Sequence, residues 1–133
     1  MIDIENIVID TVANAVWESY PGVDVSSDYD PSPESFPCVF IYELANTAYP
    51  QSFDDELTDH HVNVMYQVDV YALDKETAKE LRGITDSAMQ GMKFTRTFSQ
   101  PTLNMDRTIK RYTSRYTAIV GELSDSIYQM YRS

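Results

Sequence analysis

Residues 61–71 read HVNVMYQVDVY, and this alternating stretch decides the fold. If the chain is extended here, one side carries apolar groups and the other carries mainly polar groups. The apolar side consists of Val62, Val64, Tyr66, Val68 and Val70, and the polar side of His61, Asn63, Met65, Gln67, Asp69 and Tyr71. Strict alternation is typical of a strand in a sheet that buries one face and leaves the other face polar. We therefore expect helices to cover the apolar face.

Two helices are predicted on either side of this strand. The first begins at the capping residue Asp3 and ends near Ser19, because apolar residues recur at intervals of three and four between them. The second covers 75–90, with Asp74 as its cap and Gly91 at its end. Each helix has one apolar side, which is the side that would pack on the sheet.

The remaining strands are predicted from short apolar and aromatic runs. We expect them at 23–26, 38–44, 94–98 and 108–121, with loops at 46–59 and 99–106. The tail at 122–133 is favoured as a hairpin strand over a helical turn, because Ser-Asp-Ser breaks helices. The order of elements predicts an α+β fold, one mostly antiparallel sheet with two helices packed on one face. The 133 residues are expected to form a single domain.

Charge is divided along the chain. Residues 1–74 contain 15 acids and no Lys or Arg, whereas 75–133 contain all ten bases and six acids, so the two parts carry −15 and +4. If this division persists in space, an acidic surface of one copy can meet a basic surface of the next in a head-to-tail contact. The alternative is that the two parts interleave and the division vanishes. The net charge of −11 opposes non-specific binding to nucleic acid or to an anionic membrane.

Sequence motifs for catalysis are missing, so we expect neither an enzyme nor a cofactor. The chain has no glycine-rich phosphate loop, no Gly-x-Ser-x-Gly elbow and no His-Glu-x-x-His helix. Cys38 lies in an apolar run and is expected to be a buried hydrophobe rather than a nucleophile. The acids and histidines between 54 and 61 match no calcium loop, which favours a solvated acidic loop over a metal site. No apolar run is long enough for a transmembrane helix, and the N-terminus lacks the basic segment of a signal peptide.

Aromatic residues are the first candidates for contacts between subunits. Trp17 lies at the margin of the polar side of the first helix, where it either covers its own core or anchors a subunit contact. Tyr49 and Phe53 lie in the long loop beside a run of acids, and this loop is predicted to be an interaction arm.

Arginines of the last long strand are the second candidates. Arg111 and Arg115 alternate with tyrosines, so they should lie on the polar face of the sheet. We predict that they meet acids, either on a neighbour or in the same subunit, where Asp69 is a candidate. Exposed pairs of this kind contribute only about 0–1 kcal/mol. Reversal of both charges should therefore disturb assembly more than folding.

Three stretches carry a resemblance to a known family. They are VNVMYQVDVYA at 62–72, GMKFTR at 91–96 after a helix with small residues, and TIKRYTSRYTA at 108–118. In this order they resemble the small tail-terminator and head–tail completion proteins of long-tailed bacteriophages, often labelled minor capsid proteins. The resemblance covers most of the chain and consists of strand and helix patterns rather than catalytic residues.

The resemblance implies a virion structural protein, assembled in the cytoplasm of the bacterial host. Copies would form a homo-oligomeric ring, commonly a hexamer, that joins the tail tube to head-connector proteins and lets DNA pass without specific binding. Some acids of the long loop are expected to face the lumen or the neighbouring ring, where they would repel phosphates; they are Asp54, Asp55, Glu56 and Asp59. The alternative is an acidic DNA mimic that occupies a host nucleic-acid-binding protein, and a small-ligand enzyme is the third reading.

Overall fold

The computed structural model describes residues 3–27, 35–48, 61–102, 107–122 and 128–131. The elements follow in the order α1 (Glu5–Ser19), β1 (Asp24–Ser26), β2 (Cys38–Ala48), β3 (His61–Ala72), α2 (Lys75–Gly91), β4 (Thr95–Thr102), β5 (Lys110–Glu122) and β6 (Tyr128–Tyr131). The strands form one sheet in the order β1-β2-β3-β5-β4, and β6 also pairs with β5. Only the β1–β2 pair is parallel within the described residues. The predicted α+β fold is confirmed.

The pairing of β3 with β5 forms the centre of the sheet. It runs in continuous antiparallel register from His61 opposite Gly121 to Ala72 opposite Lys110. Two strands share the other edge of β5, since β4 pairs with 111–117 and β6 with 119–122. β1 and β2, which precede α2 in the chain, therefore lie on the β3 side of the β3–β5 ladder. β4 and β6, which follow α2 in the chain, lie on the β5 side.

Both helices pack on the same face of the sheet. The apolar side chains predicted for β3 are buried there, and Val8, Val12 and Val16 of α1 pack into the same core with Leu81 and Met89 of α2. The helices also contact each other. Full burial of a large apolar side chain contributes about 1.5–3 kcal/mol, so this helix-covered face is the main source of stability.

Local sequence explains where the helices begin and end. The backbone N–H of Glu5 donates to Oδ1 of Asp3 at 3.0 Å, but Ile4 rather than Asp3 occupies the N-cap position, so the predicted cap of α1 is wrong by one residue. The Asp74 carboxylate accepts a hydrogen bond of 2.9 Å from the N–H three residues on, and this bond lowers the pKa of Asp74. Gly91 is the last residue of α2, and the left-handed residue that turns the chain into β4 is Lys93, with φ 73°.

Two strands are longer than the sequence predicts. β2 continues to Ala48 instead of ending at Leu44, so the loop predicted at 46–59 begins inside a strand. β4 continues to Thr102, so the first half of the loop predicted at 99–106 is also strand. The tail prediction is confirmed, because β6 pairs with β5 as a hairpin.

Irregular pairing in both strands explains why their second halves were missed. The register shifts between Glu43 and Ala45 in β2, and between Arg96 and Phe98 in β4. A bulge adds one residue and thereby reverses which residues face the core. The alternation of apolar and polar residues is then interrupted, so each strand resembles a shorter one in the sequence.

Candidate functional site

Among the described residues, the strands of the acidic part and of the basic part of the chain lie on separate sides of the sheet. α1 packs with β1 and β2 on one side of the β3–β5 ladder, whereas α2 packs over β3, β5 and β4. We call α1 with β1 the acidic edge; Asp10, Glu18 and Asp24 are exposed there. We call β4 with the start of β5 the basic edge, where Arg96 and Arg107 are exposed. The strands of the two parts are therefore not interleaved in the sheet, although α2 of the basic part packs on α1 and β3 of the acidic part.

Trp17 stands at the acidic edge with 44% of its surface exposed. Its Nε1 donates to the carbonyl oxygen of Val23 at 2.7 Å, which ties α1 to the residue before β1. Glu18 and Asp24 are exposed close to it in the chain. The indole N–H is thus committed to its own subunit, while much of the ring is in contact with solvent in a fixed orientation.

A cavity of about 470 Å³ lies at the basic edge, where β4 ends and β5 begins. We call it the basic pocket; its lining residues are Lys75, Pro101, Thr102, Arg107, Ile109, Lys110, Arg111 and Tyr112. Lys110 Nζ donates to the carbonyl oxygen of Arg107 at 2.8 Å. Within the described residues, neither Lys75 nor Arg107 forms an ion pair. The basic pocket therefore combines an apolar wall with cations that attract a negative group.

A carboxylate is buried on the opposite face of the sheet, which we call the helix-free face. Asp69 has no exposed surface. Tyr42 Oη and Gln67 Nε2 donate to its Oδ2 at 2.9 and 3.1 Å. Thr113 Oγ1 and Arg111 Nη2 donate to Oδ1 at 2.7 and 3.2 Å. Because a buried charge is tolerated only when it is paired and hydrogen-bonded, this polar cluster explains how Asp69 can lie inside the protein.

The face that the alternation predicts to be polar is polar, but its centre is buried rather than exposed. Gln67, Asp69 and Tyr71 of β3 are all buried, with 7%, 0% and 1% of their surface exposed. The ring of Phe40 packs edge-on against Tyr71, with centroids 5.6 Å apart. The period-two pattern gives the face of a residue correctly, but it does not show that long side chains from neighbouring strands cover that face.

Arg111 meets Asp69, as predicted. The pair is buried rather than exposed, because the two side chains are only 17% and 0% exposed. The guanidinium of Arg111 also lies 5.3 Å from the centre of the Tyr71 ring. The small contribution expected for an exposed pair does not apply to it, and reversal of this charge is expected to damage the fold itself.

Arg115 forms no ion pair with an acid among the described residues, so for Arg115 only the alternative of an acid on a neighbour stays a prediction. Its Nε donates to Oε1 of Gln67 at 3.0 Å, and its guanidinium lies 5.3 Å from the centre of the Phe98 ring. The side chain of Arg115 is exposed. Its role as a subunit contact stays a prediction, as does that of Arg111.

Acidic residues near the start of α1 perturb the groups beside them. Burial raises the pKa of Glu43, and the charges of Asp3 and Glu5 raise it further, while a hydrogen bond from Asn46 at 3.2 Å acts in the opposite direction. Burial, together with the charge of Glu43, raises the pKa of Tyr66 well above its usual range. These acids repel one another, and the first 74 residues of the sequence contain no Lys or Arg that could offset the repulsion.

Several predicted site residues lie outside the described residues. They are the loop aromatics Tyr49 and Phe53 and the acids Asp54, Asp55, Glu56 and Asp59. The interaction arm and the acidic lumen therefore stay predictions.

Sequence reasoning missed the basic pocket. Arg107, Lys110 and Arg111 lie within five residues, and this density of cations was a signal available in the sequence. Lys75 is far from them in the chain, and only the fold brings the start of α2 beside the start of β5.

No curated protein is significantly similar to this chain in sequence, and no protein-family model matches it. Across the part of the chain that the structure describes, no three metal-ligating side chains of His, Cys, Asp or Glu converge. Neither described helix is long and apolar enough to cross a membrane. Cys38 is buried, as predicted.

Proposed function

We propose that this chain is a non-enzymatic structural subunit of a bacteriophage virion. It forms a homo-oligomeric ring, as a tail terminator or head–tail connector, at the head–tail junction or the head-proximal end of the tail. The observation that carries the proposal is the placement of an acidic edge and a basic edge at opposite sides of one sheet. When the acidic edge of one copy binds the basic edge of the next, the growing assembly always has one unpaired acidic edge and one unpaired basic edge. Closure of the ring pairs these two edges with each other.

The family resemblance supports the same function. Its three stretches correspond to β3, to the junction of α2 with β4, and to β5. Two of these segments, β3 and β5, form the centre of the sheet, where the polar cluster joins neighbouring strands through hydrogen bonds. A rigid sheet with opposite charges at its edges suits a subunit that must hold its neighbours in one geometry.

The exposed acids of α1 favour a second function, that of an acidic DNA mimic. Such a protein presents carboxylates to the basic surface of a host nucleic-acid-binding protein. The basic edge weighs against this function, because its cations would repel that surface. Oligomeric state separates the two, since a mimic acts as a monomer or dimer and a terminator acts as a ring.

Native mass spectrometry and electron microscopy of the protein at low ionic strength test the proposal. We expect a closed ring, a hexamer by the resemblance, with an opening wide enough for duplex DNA. The ring should dissociate as salt rises, because charge complementarity contributes to the contact. In phage particles, an antibody against the protein should label the head–tail junction. A two-fold dimer, or particles without label at that junction, would contradict the proposal.

A further inference from the structure

We propose that the basic pocket of one subunit binds Trp17 of a second copy, together with its neighbours Glu18 and Asp24. This inference rests on the proposed function, because it names the contact through which adjacent subunits of the ring would join.

The chemistry of the basic pocket defines the group that fits it. Pro101 and Ile109 supply apolar wall, whereas Lys75, Arg107 and Lys110 supply positive charge. A small inorganic anion would leave the apolar wall in contact with water. An uncharged apolar group would leave Lys75 and Arg107 without an ion-pair partner among the described residues. The complementary ligand is therefore a flat apolar group with carboxylates beside it.

The acidic edge presents this combination. The ring of Trp17 is 44% exposed and is held by the 2.7 Å hydrogen bond from Nε1 to Val23. A side chain that is already fixed loses little conformational freedom on binding. Tryptophan is also among the residues that most often dominate binding energy in protein interfaces. Glu18 and Asp24 supply the carboxylates, and both are exposed.

The strand pairing places the acidic edge and the basic pocket at the same position along the direction of the strands. Pairing aligns one residue from each strand in a single row: Asp24, Cys38, Tyr71, Arg111 and Thr102. The row ends at the acidic edge on one side and at the basic pocket on the other, four strand spacings or about 19 Å away. One copy cannot fill its own pocket over that distance.

The chain provides its own reporter, because Trp17 is its only tryptophan. At low salt and rising protein concentration, the Trp17 emission of the wild type should shift to shorter wavelength as the ring forms. The variant R107E/K110E should associate at least tenfold more weakly and keep the emission of a solvent-exposed indole. The matched control is K79E/K93E, which makes the same charge change at exposed positions outside the pocket and should behave like the wild type. Circular dichroism melts establish that both variants fold.

A mixing experiment tests the polarity of the contact. The variant W17A/E18Q keeps the pocket but loses the group that enters it, and R107E/K110E has the opposite defect. Each alone should be monomeric. Mixed, they should form a one-to-one dimer and no ring, because only one native contact can form between them. Only R107E/K110E contains tryptophan, so a blue shift in the mixture shows that its Trp17 has been buried.

The outcomes separate this inference from the proposed function. If the wild type forms a ring and R107E/K110E forms the same ring with the same emission, the pocket is not the contact and the ring proposal stands. If the wild type forms a two-fold dimer, or if phage particles carry no label at the head–tail junction, the proposed function fails and the inference fails with it. If the pocket reversal abolishes binding of duplex DNA but leaves self-association intact, the occupant is nucleic acid and the inference is overturned.

Discussion

The two faces of the sheet are both buried at their centre, but by different interactions. On the helix-covered face, apolar side chains such as Val64 and Leu81 are closed off by the packing of the helices. On the helix-free face, a charged group is closed off by its own hydrogen-bond donors, with Asp69 at the centre. Apolar packing accepts another group of similar shape, whereas a buried charge requires each partner in place. We therefore expect the helix-covered face to supply stability and the helix-free face to hold β2, β3 and β5 in register.

The largest expected effect is that of Asp69→Ala. It leaves Arg111 and the other donors of the polar cluster without their acceptor, so the free energy of unfolding should fall by about 3–5 kcal/mol. Urea denaturation at neutral pH measures it. The double variant D69L/R111M removes both charges and should recover most of the loss, since apolar replacement of a buried pair is often neutral. A loss below about 1 kcal/mol for Asp69→Ala would show that the cluster is not a source of stability.

Leu81→Ala tests the helix-covered face in the same assay. A cavity in a fully buried position should lower the free energy of unfolding by about 2–5 kcal/mol. The contrast with the other face lies in conservative variants. Leu81→Met should cost less than about 1.5 kcal/mol, whereas Asp69→Asn should retain most of the loss seen for Asp69→Ala, because it replaces an acceptor with a donor. Equal tolerance at both positions would remove the distinction between the faces.

A pair of hydroxyl deletions makes the comparison finer. Tyr42→Phe removes a hydrogen bond to a buried carboxylate and should cost about 1.5–3 kcal/mol. Tyr66→Phe removes a buried hydroxyl that has no hydrogen-bond partner of acceptable geometry within the described residues, although Glu43 lies near enough to raise its pKa. This second variant should be neutral or stabilising in thermal and urea unfolding. The expectation is contradicted if Tyr66→Phe proves the more damaging change.

The smallest expected effect is that of Glu43→Gln. The folded-state pKa of Glu43 is raised above its ordinary value of 4.5, so its ionised form is less favourable in the folded protein than in the unfolded one. The variant should therefore be more stable than the wild type at neutral pH, by less than about 1 kcal/mol because the site is partly solvated. The gain should disappear as pH falls below 4.5, where Glu43 is protonated in both states. Melting temperatures at several pH values measure it, and a gain that persists in acid would assign the effect to packing.

Much of the fold could be predicted because its signals are local. The alternation in β3, the cap at Asp74 and the hairpin tail each depend on residues close together in the chain. The second halves of β2 and β4 could not be predicted, since a bulge is a property of the pairing between two strands. For the same reason the sequence showed that Asp69 and Arg111 share a face, but not that neighbouring side chains bury them.

The candidate site was predictable only in part. The division of charge was visible in the sequence, but the sheet order that turns it into two edges was not. Trp17 was identified from its position on the helix, whereas its hydrogen bond to Val23 depends on the turn that follows α1. The basic pocket required Lys75 and Arg107 to be brought together by the whole sheet.

The distance in sequence between Asp69 and its partners has a consequence for biosynthesis. Arg111 follows Asp69 by 42 residues and Thr113 follows it by 44. When β3 leaves the ribosome, β5 has not yet emerged, and of the two long-range partners and Tyr42 only Tyr42 is outside the ribosome to donate to Asp69. The carboxylate must then stay hydrated, because burial without its partners is unfavourable. We therefore expect that β1, β2 and β3 alone do not form the native sheet during synthesis. The native fold should form only after β5 has emerged and its side chains can replace the water around Asp69.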